Sequence, residues 1–122
     1  MKIKLTLEAI EDIALIKRYI REEFGNPIAA NRAANNIAKS YKQLKTMPHM
    51  GVSLRLKYGI DTPSRVLVSG SYIIFYEVKE SEKFVEILNI FHSKQNYIKT
   101  LFPDYEYETD VPEDILLYSE PN

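Results

Sequence analysis

Apolar positions recur at helical spacing in the first half of the chain and at strand spacing in the second, with a breaker-rich stretch at residues 48–63 between. Residues 2–6 alternate Ile3 and Leu5 with polar neighbours, which predicts a short strand, and Thr6 is placed to cap a helix beginning at the next residue. Ile10, Ile13, Ile16 or Lys17, Ile20 and Phe24 return every three to four residues. That spacing predicts a helix over about residues 7–24 with one apolar face, stopped by Gly25. Asn26-Pro27 then supplies an N-cap and a proline at the first helical position. A second helix to about Thr46 carries the stripe Ile28, Ala30, Ala34, Ile37, Tyr41 and Leu44.

Pro48, Gly51, Gly59 and Pro63 punctuate the connection, which has room for one short extended piece at residues 54–57. Beyond it, residues 64–69, 72–78 and 84–91 are β-branched and aromatic runs, separated by Gly70-Ser71 and by the polar turn at 79–83. The expected fold is α+β in the order β-α-α-β-β-β. A helical hairpin packs on one face of an antiparallel sheet of about four strands, and the opposite face is open. Within the run at 72–78, Tyr72, Ile74, Tyr76 and Val78 share the face that the helices would cover. Ile73, Phe75 and Glu77 then point to the open face, where exposed Ile and Phe would invite a partner.

With 122 residues, one core is the expectation, and 45% apolar with 27% charged residues is the composition of a folded globular chain rather than a disordered one. The absence of cysteine removes disulfides, thiolate metal sites and thiol nucleophiles from consideration. No signal-like or membrane-spanning apolar run is present in the sequence, so a cytoplasmic protein without membrane attachment is expected. The net charge of −1 conceals a division: all 16 Lys and Arg lie in residues 1–102, against ten of the 17 acidic residues. Residues 103–122 carry Asp104, Glu106, Glu108, Asp110, Glu113, Asp114 and Glu120 and no base. A basic body of residues 1–102 followed by an acidic tail of residues 103–122 has different local potentials at its two ends, and these, not the net charge, attract partners.

Six segments in fixed order carry a resemblance to a known family. They are Leu7-Glu8-Ala9-Ile10-Glu11-Asp12, Phe24-Gly25-Asn26-Pro27, Met47-Pro48-His49-Met50-Gly51, Arg65-Val66-Leu67-Val68, Ser71-Tyr72-Ile73-Ile74-Phe75-Tyr76-Glu77-Val78 and Val85-Glu86-Ile87-Leu88-Asn89-Ile90-Phe91-His92. Together they resemble the RelE/ParE toxins of type II toxin-antitoxin systems, also met as plasmid stabilisation proteins, over residues 1–102. The resemblance implies growth inhibition and a cognate antitoxin that binds the open face through Ile73, Phe75 and Glu77. It also implies one of two host targets: ribosome-bound mRNA, cleaved by RelE-like members, or DNA gyrase, poisoned by ParE-like members. A homodimer or a toxin-antitoxin hetero-oligomer is compatible with either, and a degenerate member that only binds its antitoxin is a further alternative.

RNA cleavage by internal attack needs an acid-base group and a cation at the phosphate, but neither metal nor other cofactor. If the chain is such a nuclease, the resemblance points to His92 as acid-base, with Arg65, at the head of its strand, as candidate phosphate clamp and Tyr97, close after His92, as candidate support. Arg55, Lys57, Lys94 and Gln95 are candidates for contacting phosphate or an acidic target. The structural alternative is that His92 and Tyr97 seat the C-terminal turn and that Arg55 and Lys57 are solvated. Ile73 stands where ribonuclease members commonly carry an arginine, and an aliphatic side chain cannot stabilise developing negative charge. ParE-like binding to gyrase is therefore the favoured expectation. The tail contains one apolar cluster, Ile115-Leu116-Leu117-Tyr118, and the expectation for it lies between a solvated extension and a segment that folds back over the open face.

Overall fold

The computed structural model describes residues 1–95 and 97–104, with Tyr97 described by its backbone. In chain order the first elements are β1 (Lys2–Leu5), α1 (Leu7–Phe24), α2 (Pro27–Lys42) and a 3-10 turn (Gln43–Lys45). After these come β2 (Val52–Ser53), α3 (Leu54–Tyr58), β3 (Arg65–Ser69), β4 (Tyr72–Lys79), β5 (Phe84–His92) and α4 (Tyr97–Leu101). The five strands form one sheet in the order β1-β5-β4-β3-β2. β3, β4 and β5 make the expected antiparallel meander, whereas β1 runs parallel to β5, with Ile3 opposite Val85 and Leu5 opposite Ile87. A parallel neighbour needs a long crossover, and the α1–α2 hairpin is the start of it.

Thr6 joins β1 to α1. Its side chain accepts from the Ala9 amide at 3.1 Å as an N-cap and donates to the Leu88 carbonyl at 2.7 Å. That carbonyl lies at an irregularity in the β4–β5 ladder. Phe75 faces Asn89 while Tyr76 faces Ile87, so Leu88 is the extra residue of a β-bulge. β1 ends opposite Ile87, and beyond that point α1 replaces it as the neighbour of β5: the Asp12 carboxylate accepts from the Ile90 amide at 2.8 Å. Thr6→Ala removes a cap and leaves a partly buried carbonyl unpaired, so the midpoint of urea unfolding should fall by the equivalent of about 1–2 kcal/mol. Thr6→Ser should recover most of that loss.

The hairpin covers the sheet with a core of Ala9, Ile37, Leu44, Leu67, Ile74, Tyr76, Val85, Ile87 and Ile90. The inward stripe of α1 is Ala9, Ile13 and Ile16, so Ile10 and Phe24, expected inward, are solvent-facing, Phe24 at 70% exposure. Ile28, at the start of α2 and beside Phe24 at the hairpin tip, is exposed as well, also at 70%.

The opposite face is not open throughout. α3 and α4 lie over its β3 side and make a second core of Leu54, Ile60, Val66, Ile73, Phe75 and Ile98, with Leu101 and Phe102 packed against it. Ile73 and Phe75 are on the face that the alternation assigned to them, but they are buried, at 8% and 6% exposure. The extended piece expected at residues 54–57 is instead α3, capped by the Ser53 side chain, and it is what roofs Val66 and Phe75. Only the β1 side of this face is polar. There Lys4, Glu86 and Glu77 stand in one cross-strand row, and Lys4 Nζ lies 4.0 Å above the Phe84 ring.

Candidate functional site

Two surfaces emerge from this framework. The first is the connection after α2. Tyr76 is fully buried, yet its hydroxyl accepts from the Gly51 amide at 2.9 Å and donates to the Pro48 carbonyl at 2.9 Å. Arg65, next to it in the β3–β4 register, donates to the His49 carbonyl at 3.2 Å and to the Gly51 carbonyl at 2.9 Å. Burial raises the Tyr76 phenol above its ordinary pKa, opposed by the Gly51 hydrogen bond and the Arg65 charge. It stays protonated and can donate to Pro48. Four hydrogen bonds from two sheet side chains thus hold the Met47–Gly51 segment, and Met47, Met50 and Val52 project from it into solvent.

The second surface is a groove between α1 and the far end of β4 and β5. Leu15, Tyr19 and Phe24 form one wall, and Tyr72, His92 and Lys94 form the other. The Tyr19 and Phe24 rings meet edge to face at 6.1 Å, as do Tyr72 and His92 at 5.5 Å. His92 Nδ1 accepts from the Lys94 amide at 3.1 Å, so Nε2 is the ring nitrogen that carries the proton in the neutral form. The Gln95 side chain accepts from the His92 amide at 2.7 Å and closes the turn. Burial, and then the neighbouring Tyr19, push the Tyr72 phenol above its ordinary pKa.

The residues expected to share one site are therefore in different places. Arg65 pairs with Tyr76 in the middle of β4 and His92 with Tyr72 at its start, on strands either side of β4 and about 13 Å apart along it. Arg65 lies beside the Met47–Gly51 segment rather than beside His92. Arg55 and Lys57 are on α3, at the sheet edge away from β1. There Arg55 pairs with Asp61 at 3.3 Å and Lys57 lies 5.5 Å from the Tyr58 ring centroid. Lys94 and Gln95 stay with His92. Glu77 is on the polar part of the second face as expected, paired with Lys79 at 3.5 Å. The exposed antitoxin surface expected from Ile73 and Phe75 is corrected: α3 and α4 already cover both. Tyr97 begins α4, and its side chain lies outside the described residues. The acidic tail from residue 105 lies outside them as well.

Sequence reading missed the groove because Leu15 and Tyr19 fall off the core stripe of α1. The signal was there: they are four residues apart, which places them on a second apolar line of the same helix. Among the described residues, no group of His, Asp and Glu has the arrangement of a metal site, and no helix is long and apolar enough to cross a membrane.

A helical hairpin on a five-stranded sheet, with a latched loop after the hairpin, defines a toxin-type fold of the RelE/ParE class. The sequence matches the family described as the ParE toxin of the type II toxin-antitoxin system parDE over residues 3–97, and the chain belongs to that family. Among solved structures, it is similar to a chain of the chromosomal ParDE toxin-antitoxin system from P. aeruginosa. The TM-score is 0.61 at 24% identity, over 75% of this chain and 95% of that one. Comparison with curated protein sequences gives no match. The protein is thus the toxin component of a type II toxin-antitoxin pair.

Proposed function

We propose that this toxin inhibits bacterial growth by binding a host target in the ParE manner, with DNA gyrase as the target, and that a cognate antitoxin neutralises it. The observation that carries this reading over RNA cleavage is the separation of Arg65 from His92. A phosphate at the His92 ring would have no guanidinium from Arg65, whose Nη1 donates to two backbone carbonyls. Position 73, where a cation would have to reach the phosphate, is an isoleucine beneath α3 and α4. A binding toxin needs neither group. It needs exposed apolar surface on a rigid frame, and the latched Met47–Gly51 segment and the α1 groove both offer that.

Two assays test this. The purified chain should inhibit gyrase supercoiling, and cells expressing it should show a DNA-damage response before protein synthesis falls. His92→Ala should leave the inhibition within about twofold, since a binding contact at a rim contributes little. Rapid translation arrest that His92→Ala abolishes would instead make the chain an mRNA endoribonuclease. Loss of both effects, with antitoxin binding intact, would make it a member that only binds its antitoxin.

A further inference from the structure

The α1 groove is an apolar surface that nothing in the folded body covers. Leu15 is 52% exposed, Tyr19 60% and Phe24 70%, on one continuous wall. Isolated exposed apolar residues are ordinary, but three around one groove beside Tyr72 form a patch of the kind that proteins cover. One base, Lys94, stands exposed at one end of it, and the only carboxylate among the lining residues, Asp12, accepts from the Ile90 amide.

The chain itself carries a segment of complementary chemistry. Residues 103–122 hold seven carboxylates and no base, and within them Ile115-Leu116-Leu117-Tyr118 follows Glu113-Asp114. The reach is sufficient. Asp104 is ten residues past Lys94 on the groove rim, and the residues from there to Ile115 extend up to about 35 Å, the diameter of a body this size. The part of the second face over β3 and β4 is filled by Ile98, Leu101 and Phe102, and the groove, with Lys94 at its end, is the concave apolar site left to the tail.

We propose that residues 113–118 dock in the groove of their own chain. Ile115, Leu116 and Leu117 lie on Leu15, Tyr19 and Phe24, and the Glu113 and Asp114 carboxylates lie toward Lys94. The tail is then an intramolecular ligand that shields the patch, and any partner that uses the groove must displace it. This does not depend on which host target the toxin binds.

The absence of native cysteine gives a clean test in the full-length chain. In Leu15→Cys/Leu116→Cys, mild oxidation should close an intramolecular disulfide, read as a faster-migrating monomer on a non-reducing gel and confirmed by mass. The control is Leu56→Cys/Leu116→Cys. Leu56 is 85% exposed on α3, which lies on the same face as α4, the element from which the tail departs, so it is a site outside the groove within the tail's reach. The groove pair should close about tenfold faster or more, because docking raises the effective concentration of Leu116 there. Adding Lys94→Glu should slow that closure by about threefold or more. Equal rates for the two pairs, no effect of Lys94→Glu, or a disulfide-linked dimer whose yield rises with protein concentration would each overturn the proposal, the last by making a second copy the occupant.

Discussion

Gly51→Ala is expected to destabilise the protein by about 3 kcal/mol, read as a fall in the urea midpoint with little change in slope. A methyl at residue 51 would stand 2.6 Å from the Tyr76 hydroxyl and 2.7 Å from both the Tyr76 ring and the Val66 carbonyl. Two of those atoms belong to a fully buried tyrosine and the third to a strand backbone, so none can swing aside as a flexible surface side chain would. Moving the loop away instead breaks the Tyr76 hydrogen bonds to Gly51 and Pro48 and the Arg65 bond to Gly51. Tyr76→Phe loses only the first two of these and should cost about 2 kcal/mol. The double variant should cost clearly less than the sum, since both single changes break the same latch. Full additivity would show that the latch is not the shared element. If the Met47–Gly51 segment also contacts the host target, Gly51→Ala should weaken target inhibition more than Thr6→Ala does at equal residual stability.

Ile73→Arg should cost a comparable amount, about 3 kcal/mol, and should not produce RNA cleavage. The family resemblance makes this substitution look like the restoration of a missing catalytic cation. The fold makes it the burial of a charge. Ile73 is grouped in the second core with Leu54, Val66, Phe75 and Ile98, none of whose side chains offers a hydrogen-bond acceptor, and it is 8% exposed. The guanidinium reaches solvent either by threading past Val68, its exposed cross-strand neighbour, or by displacing α4, whose hold on the sheet includes Ile98, Leu101 and the edge-to-face contact of Phe102 with Phe75 at 6.4 Å. Hydrogen exchange in α4 should therefore accelerate with the loss of stability. Ile73→Val, which keeps the core dry, should cost only about 1 kcal/mol. An unchanged urea midpoint for Ile73→Arg would mean that residue 73 faces solvent, and the second core would have to be abandoned.

Local patterning made much of the fold legible. Alternation gave the three strands of the meander and the faces of Tyr72–Lys79, and the Thr6, Asn26-Pro27 and Gly25 signals gave both helices and the break between them, because caps and periodicity are set by neighbours in sequence. The same reasoning misassigned Ile10, Phe24 and Ile28, since periodicity alone does not fix which side of a helix faces the sheet or where that sheet ends. It also left residues 54–57 extended: five residues with a serine cap form a helix here because Leu54 has a second core to fill.

What the sequence determined by itself is the element order, the helix-covered face of the sheet, the basic body with its acidic tail, and membership of the toxin family, all of which are properties of residue type and spacing. What only the tertiary structure decided is which of those residues meet. It turned Arg65 onto the loop carbonyls of His49 and Gly51 and set His92 four residues away along β4, on the far side of that strand. It closed α3 and α4 over Ile73 and Phe75, and opened a groove along Leu15 and Tyr19. The physical reason is the same in each case: a side chain's role depends on what is packed within a few ångströms of it, and those neighbours come from strands and helices tens of residues away in the chain.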